Sequence, residues 1–183
     1  MSARNTVVRS LHDVGLAAWF GGSLMGAVGL NSAAAAVSNP RERLVVASAG
    51  WKHWAPVQWA ALVVHGIGGV GLIVGNAGRL ATQHEGRVNT GVKLGLTVVA
   101  VGATVYSAVV GMQMGANAGE PVEGTTEAAP ATSDELESAQ NQQRILQWVT
   151  PALTLILIVL GAQQGEQQRP VPARTLLQRV LRR

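Results

Sequence analysis

The chain has no cysteine, one phenylalanine and one tyrosine, and charged residues fill only 13% of its 183 positions. An average soluble domain carries about 25% charged residues. Without cysteine there are no disulfides, thiolate metal sites, iron–sulfur clusters or cysteine nucleophiles. Charge is not just scarce but missing from long stretches. Val14 to Pro40, Trp54 to Gly78, Leu94 to Gly119 and Ile145 to Gly165 contain no Asp, Glu, Lys or Arg. A helix needs about 20 mostly apolar residues to cross a bilayer, and each window is long enough. Backbone polar groups in lipid must be paired internally, so a helix is the conformation such windows require. The period-two alternation of a membrane β-barrel strand is absent.

The spans also lack carboxylates. That removes the paired acids of hydrolytic chemistry and the mid-membrane acid common in ion-coupled transporters. The expectation is therefore an all-α polytopic membrane protein, with four transmembrane helices in a Gly-rich bundle. The spans cover 14–36, 54–78, 94–116 and 145–165. Between them lie the N-terminal segment 1–13, loops 37–53, 79–93 and 117–144, and a tail at 166–183. A cleaved signal peptide is the rival for the first span, but its apolar stretch would be about 7–15 residues and Val14 to Leu30 is longer. Of the 14 Lys and Arg residues, only Arg41, Arg43, Lys52 and Arg144 fall in the first and third loops. The positive-inside rule then places both termini in the cytoplasm, across a plasma (inner) membrane.

Mean hydropathy is only +0.23 because it averages the spans with charged connections. Asn39-Pro40-Arg41-Glu42 reads as a helix start, predicting a short surface helix over 40–50. Trp51, Trp54 and Trp59 should mark the membrane interface. Residues 117–132 read as a mobile outer loop. Thr132-Ser-Asp-Glu135 reads as a capping box that opens the last helix. In the tail, Arg174, Arg179, Arg182 and Arg183 accompany Leu176, Leu177, Val180 and Leu181 on one helical face. They predict a surface helix on an anionic leaflet rather than a nucleic-acid contact.

What is abundant is glycine, with 22 residues. Gly22 and Gly26, Gly71 and Gly75, Gly91 and Gly95, and Gly111 and Gly115 stand four apart, the spacing that lets helix backbones approach. The first three spans should pack tightly, with the aliphatic fourth at the periphery. Gly66-Ile-Gly68-Gly-Val-Gly71 matches a dinucleotide-binding fingerprint. Glu85 has roughly the spacing of the required acid, but no second strand precedes it, so the glycines are read as packing residues.

His65 falls near the middle of the second window, where an ionisable side chain is a functional candidate. It would hold a ligand or relay a proton, or hydrogen-bond to Thr97, Thr104, Tyr106 or Ser107 of the third span. His12 and Asp13 stand at the mouth of the first span. By window position His12 is shallower than His65, which argues against a haem held by both. Asp13 should pair with Arg9 or Lys93. Met25, His53, Met112 and Met114 have soft-metal chemistry and would suit copper if they converged.

Leu11-His12-Asp-Val-Gly15-Leu-Ala-Ala-Trp19-Phe20-Gly21-Gly22 resembles the first helix of small bacterial polytopic proteins, copper-resistance-D-like ones among them. With Trp51-Lys-His-Trp-Ala-Pro56, the whole chain resembles small actinobacterial four-helix membrane proteins. The copper-related resemblance implies metal ligands, and only His12 carries over. Three functions are consistent with these residues. The first is a non-enzymatic accessory or scaffold subunit without a cofactor, self-associating or joined to other membrane subunits. The second is a copper- or haem-handling protein. The third binds a lipid or a small apolar molecule.

Overall fold

The computed structural model describes residues 5–82 and 84–167, and the basic segment 168–183, with Arg174, Arg179, Arg182 and Arg183, lies outside them. Four helices are long and apolar enough to cross a membrane. We number them α1 (Thr6–Ala35), α2 (Arg43–Gly75), α4 (His84–Ala116) and α5 (Asp134–Gln167), with a short α3 (Ala77–Thr82) between α2 and α4. No strand occurs among the described residues, only an isolated bridge between Val122 and Ala128. At most 33% of any span's most apolar window is buried within the molecule. Val14, Val63, Val74, Val98 and Ile145 point outward. An apolar exterior of this kind suits lipid rather than water.

Each helix runs antiparallel to the next, and they pack in a ring. α1 touches α2 and α5, α5 touches α1 and α4, and α4 meets α2 only along a thin seam. This corrects the expected three-helix core with a peripheral fourth. The fourth span is central because it contributes polar knobs rather than glycines. The Gln143 amide donates to Ser107 Oγ at 2.8 Å, and Asn31 Nδ2 donates to Gln147 Oε1 at 2.9 Å. The Trp19 indole donates to Thr104 Oγ1 at 3.1 Å, and that hydroxyl lies 3.4 Å from Thr150 Oγ1. In an apolar surrounding, such pairs fix which helix faces meet.

The glycines divide in a way their spacing did not show. A Cβ on Gly91, Gly95 or Gly111 would meet nothing within 4 Å, and one on Gly115 would make only ordinary contact with Ser48. The third-span pairs therefore face away from the tight interfaces. Gly22 and Gly26 do pack, but against the indoles of Trp54 and Trp51. The α2 helix begins at Arg43, so these two tryptophans stand within it and pack against α1. Of the three, only Trp59 is exposed, at 43%. The surface helix expected over 40–50 is the first part of α2. A π turn over Gly26–Leu30 interrupts α1. Just beyond it, Asn31 Oδ1 accepts the Trp51 indole N–H at 3.0 Å.

The loop at 117–132 is held in place, contrary to expectation. Val122 is fully buried with Leu44, Val110 and Leu136. The guanidinium of Arg43 donates to Val122 O at 3.0 Å and Glu123 O at 2.8 Å, and to Val37 O at 2.9 Å. Gln140 reaches Gly124 O and Thr125 O, while Arg144 donates twice to Thr126 O. Ser133, rather than Thr132, caps α5, its hydroxyl accepting Leu136 N–H at 3.3 Å. Thr132 instead ties the loop to itself through Pro121 O.

Removing the Arg43 guanidinium should release this loop. Hydrogen bonds from a charged donor are worth about 1.5–3 kcal/mol, so a loss of about 2 kcal/mol is reasonable for Arg43→Ala. Cleavage by a glutamate-specific protease after Glu123 or Glu127 should then accelerate roughly 30-fold, if cleavage follows the open population. An unchanged rate would mean that Gln140 and Arg144 hold the loop by themselves.

Candidate functional site

Opposite the ordered loop, the seam between α2 and α4 opens into a cleft of about 590 Å³. All four long helices line it. Leu16, Val70, Ile73, Leu94, Leu157 and Ile158 give it apolar walls. Arg9, Asp13 and Lys93 also line the cleft, and Lys93 Nζ donates to Gln164 Oε1. The size lies within the range of about 300–1,000 Å³ typical of small-molecule sites.

His12 and His65 both line the cleft. Their rings stack with centroids 4.0 Å apart and planes 22° from parallel. The sequence expectation that they lie at different depths is thus corrected. The charge-free window understated α2, which begins at Arg43 and ends at Gly75, so His65 belongs to the half nearer the chain termini. His12, two turns into α1, lies at the same level.

Two close backbone approaches bring the rings together. A Cβ on Gly15 would stand 2.5 Å from His65 N and 2.7 Å from Ala61 O. A Cβ on Gly68 would stand 2.7 Å from both His12 Cα and Val8 O. Neither position accepts a side chain without moving a helix. The arrangement is reciprocal. His12-Asp-Val-Gly15 and His65-Gly-Ile-Gly68 share a His-x-x-Gly pattern, and each glycine abuts the other segment's histidine backbone. His12 Nδ1 lies 3.1 Å from His65 O, and His65 Nδ1 lies 3.0 Å from His12 O. The antiparallel segments are thus related by a local two-fold. A carbonyl oxygen only accepts, so each Nδ1 carries a proton and donates. In the uncharged rings each Nε2 then keeps a free lone pair. Trp19 meets the His65 ring edge-on, with centroids 5.9 Å apart.

The expected partners of His65 are engaged elsewhere. Thr104 takes the Trp19 indole, Ser107 takes Gln143, and Tyr106 donates to Gln142 at the surface. Thr97 donates to Lys93 O in its own helix. The copper candidates do not converge. Met25 and Met112 are exposed at 65% and 67%, while Met114 is buried against Leu44 and Val110. His53 is exposed, with its Nδ1 donating to Ala49 O of its own helix at 2.7 Å. Among the described residues, no three His, Asp or Glu side chains are grouped to hold a metal ion. The histidine pair does not fit haem either. Axial ligands must aim nitrogens at one iron from opposite faces of the macrocycle, and these rings lie face to face on each other.

Sequence reading missed Gly15, Gly68 and Lys93 as parts of the site. The repeated His-x-x-Gly was the available signal. Comparison of the chain with protein-family models, with curated proteins and with solved structures gives no match. The resemblance in the first helix therefore rests on its own dozen residues.

Proposed function

We propose that this is a non-enzymatic integral membrane protein that binds a small apolar or amphipathic molecule in the cleft between α2 and α4. The observation that carries the reading is the cleft itself. It is an apolar space of about 590 Å³ along the thin α2–α4 seam, with polar groups concentrated in the histidine pair and the Arg9, Asp13 and Lys93 side chains. A few placed polar groups in an apolar recess is the usual composition of a ligand site.

In this reading the chain crosses the membrane four times with both termini in the cytoplasm, and the cleft belongs to the cytoplasmic half. The distribution of basic residues supports this. Three of the four basic residues at the opposite end, Arg41, Arg43 and Arg144, bond to loop or turn carbonyls. A scaffold role draws support from one further observation. Gly91, Gly95 and Gly102 fall on one face of α4, and a Cβ on any of them would meet nothing within the chain.

Plugging the cleft tests ligand binding. Gly161 lines it, and a Cβ there meets nothing within 4 Å. Gly161→Phe should fill the space and leave the helix packing intact. Native mass spectrometry from membranes should show a bound small molecule on the wild type, with occupancy reduced severalfold in the variant. Equal occupancy, or none on the wild type, would count against the cleft as a binding site.

A further inference from the structure

We propose that the cleft selects apolar molecules whose polar end is a hydroxyl donor, such as a phenol, quinol or alcohol, and that the histidine pair accepts this hydrogen bond. The proposal rests on the cleft being a ligand site and adds the chemistry of its headgroup.

Three observations lead there. First, the reciprocal bonds to His65 O and His12 O use both Nδ1 protons, at 3.1 and 3.0 Å. Rings stacked 4.0 Å apart cannot both be charged without strong repulsion. In the neutral pair, with each Nδ1 proton already donated, both remaining nitrogens are acceptors. Second, His65 is only 3% exposed, yet its Nε2 has no hydrogen-bond partner among the described residues. That nitrogen is not sealed in the interior, so it is open to a partner that enters the cleft, which His65 lines. Third, the wall next to the rings is aliphatic, formed by Leu16, Val70 and Leu157. It suits a tail or ring.

A metal would satisfy the same lone pairs, but two stacked imidazoles without a third ligand make a poor site. An anionic headgroup is the other candidate, since Arg9 and Lys93 line the cleft. Asp13 lies with them, and Lys93 already donates to Gln164. The charge beside the histidines is thus mixed in sign, with Asp13 and Lys93 both close enough to act on the rings, and this favours a neutral headgroup over an anion.

The test uses the full chain in detergent micelles and three probes: 4-nonylphenol, its methyl ether 4-nonylanisole, and decanoate. The phenol should bind about tenfold more tightly than the ether, the value of one net hydrogen bond. In protein labelled with 15N-histidine, the phenol should shift the Nε2 resonances and the ether should not. His65→Asn retains a donor near the Nδ1 position and loses the Nε2 position, so it should reduce the preference severalfold. His65→Gln places an amide oxygen near Nε2 and should retain part of it. Equal affinity for phenol and ether would overturn the headgroup assignment and leave the cleft intact. So would a preference that survives in the Asn variant, or tighter binding of decanoate than of the phenol. If no probe binds the wild type, the cleft reading itself fails. Should the variants not fold, the wild-type probe comparison and the Nε2 shifts still decide.

Discussion

Replacing Gly15 by alanine should push α1 away from α2 and destabilise the protein by about 2 kcal/mol or more, at the upper part of the usual cost of overpacking. The new methyl would meet backbone, not a side chain that can swing away. It would stand 2.5 Å from His65 N and 2.7 Å from Ala61 O, where an ordinary contact needs well over 3 Å. Gly68→Ala should cost a similar amount, because its methyl meets the backbone of His12 and Val8. The local two-fold makes a sharper prediction for the double variant. One separation of α1 from α2 relieves both clashes, so the double should cost clearly less than the sum of the singles. The same separation should break both Nδ1–H bonds between the histidines. Gly91→Ala and Gly95→Ala are the controls. Each added methyl meets open space and raises helix propensity by up to about 1 kcal/mol, so these variants should be neutral or slightly stabilised. Thermal unfolding in one detergent would rank all five. Strict additivity of Gly15→Ala and Gly68→Ala would contradict the shared movement.

The contrast between these glycines shows what a sequence can reveal. The four spans were legible because the absence of charge is a one-dimensional property. The helix ends were not. Charged residues such as Arg43 and Asp134 begin helices that run well beyond the charge-free windows, and this moved the apparent depth of His65. Glycine spacing was legible too, but spacing alone does not say which face meets a neighbour. Gly91 and Gly95 have the expected separation and pack on nothing, whereas Gly15 and Gly68 make the closest backbone approaches outside any of the four pairs. The loop at 117–132 looked mobile from its composition because its anchors are remote. Arg43 is 79 residues from Val122, and Arg144 is 18 from Thr126. The histidine pair was hidden for a similar reason. His-x-x-Gly appears twice in the sequence, but its reciprocal contacts need two antiparallel helices in one particular register.

Trp19→Ala should be the most damaging single truncation in the bundle, costing about 3 kcal/mol or more by analogy with buried aromatic deletions. Trp19 is fully buried, with 0% exposure, in a cluster with Leu16, Ala61, Ala100 and Leu157 that draws on all four long helices. In the proposed membrane setting the driving force is packing rather than removal from water, so the cost is mainly lost contact around an unfilled void. The indole also joins the two halves of the bundle, donating to Thr104 Oγ1 at 3.1 Å, while Thr104 donates to Ala100 O at 2.8 Å. Trp19→Phe separates these contributions. It leaves much of the volume filled and removes only the indole N–H, so it should cost about 1 kcal/mol, the typical value of one such bond in a membrane bundle. The alanine variant should also alter the cleft. Trp19 holds the edge of His65 at 5.9 Å, and the void left behind would lie directly behind that ring. His65 would then be free to turn away from His12 O, and the cleft would deepen toward Ala100. Trp19→Ala should therefore lose the preference for a phenol over its ether while still admitting both probes. Trp19→Phe should keep the preference, since a phenyl ring still backs the imidazole. If both substitutions left the preference unchanged, the indole would be a packing residue only, with no part in positioning the histidine pair.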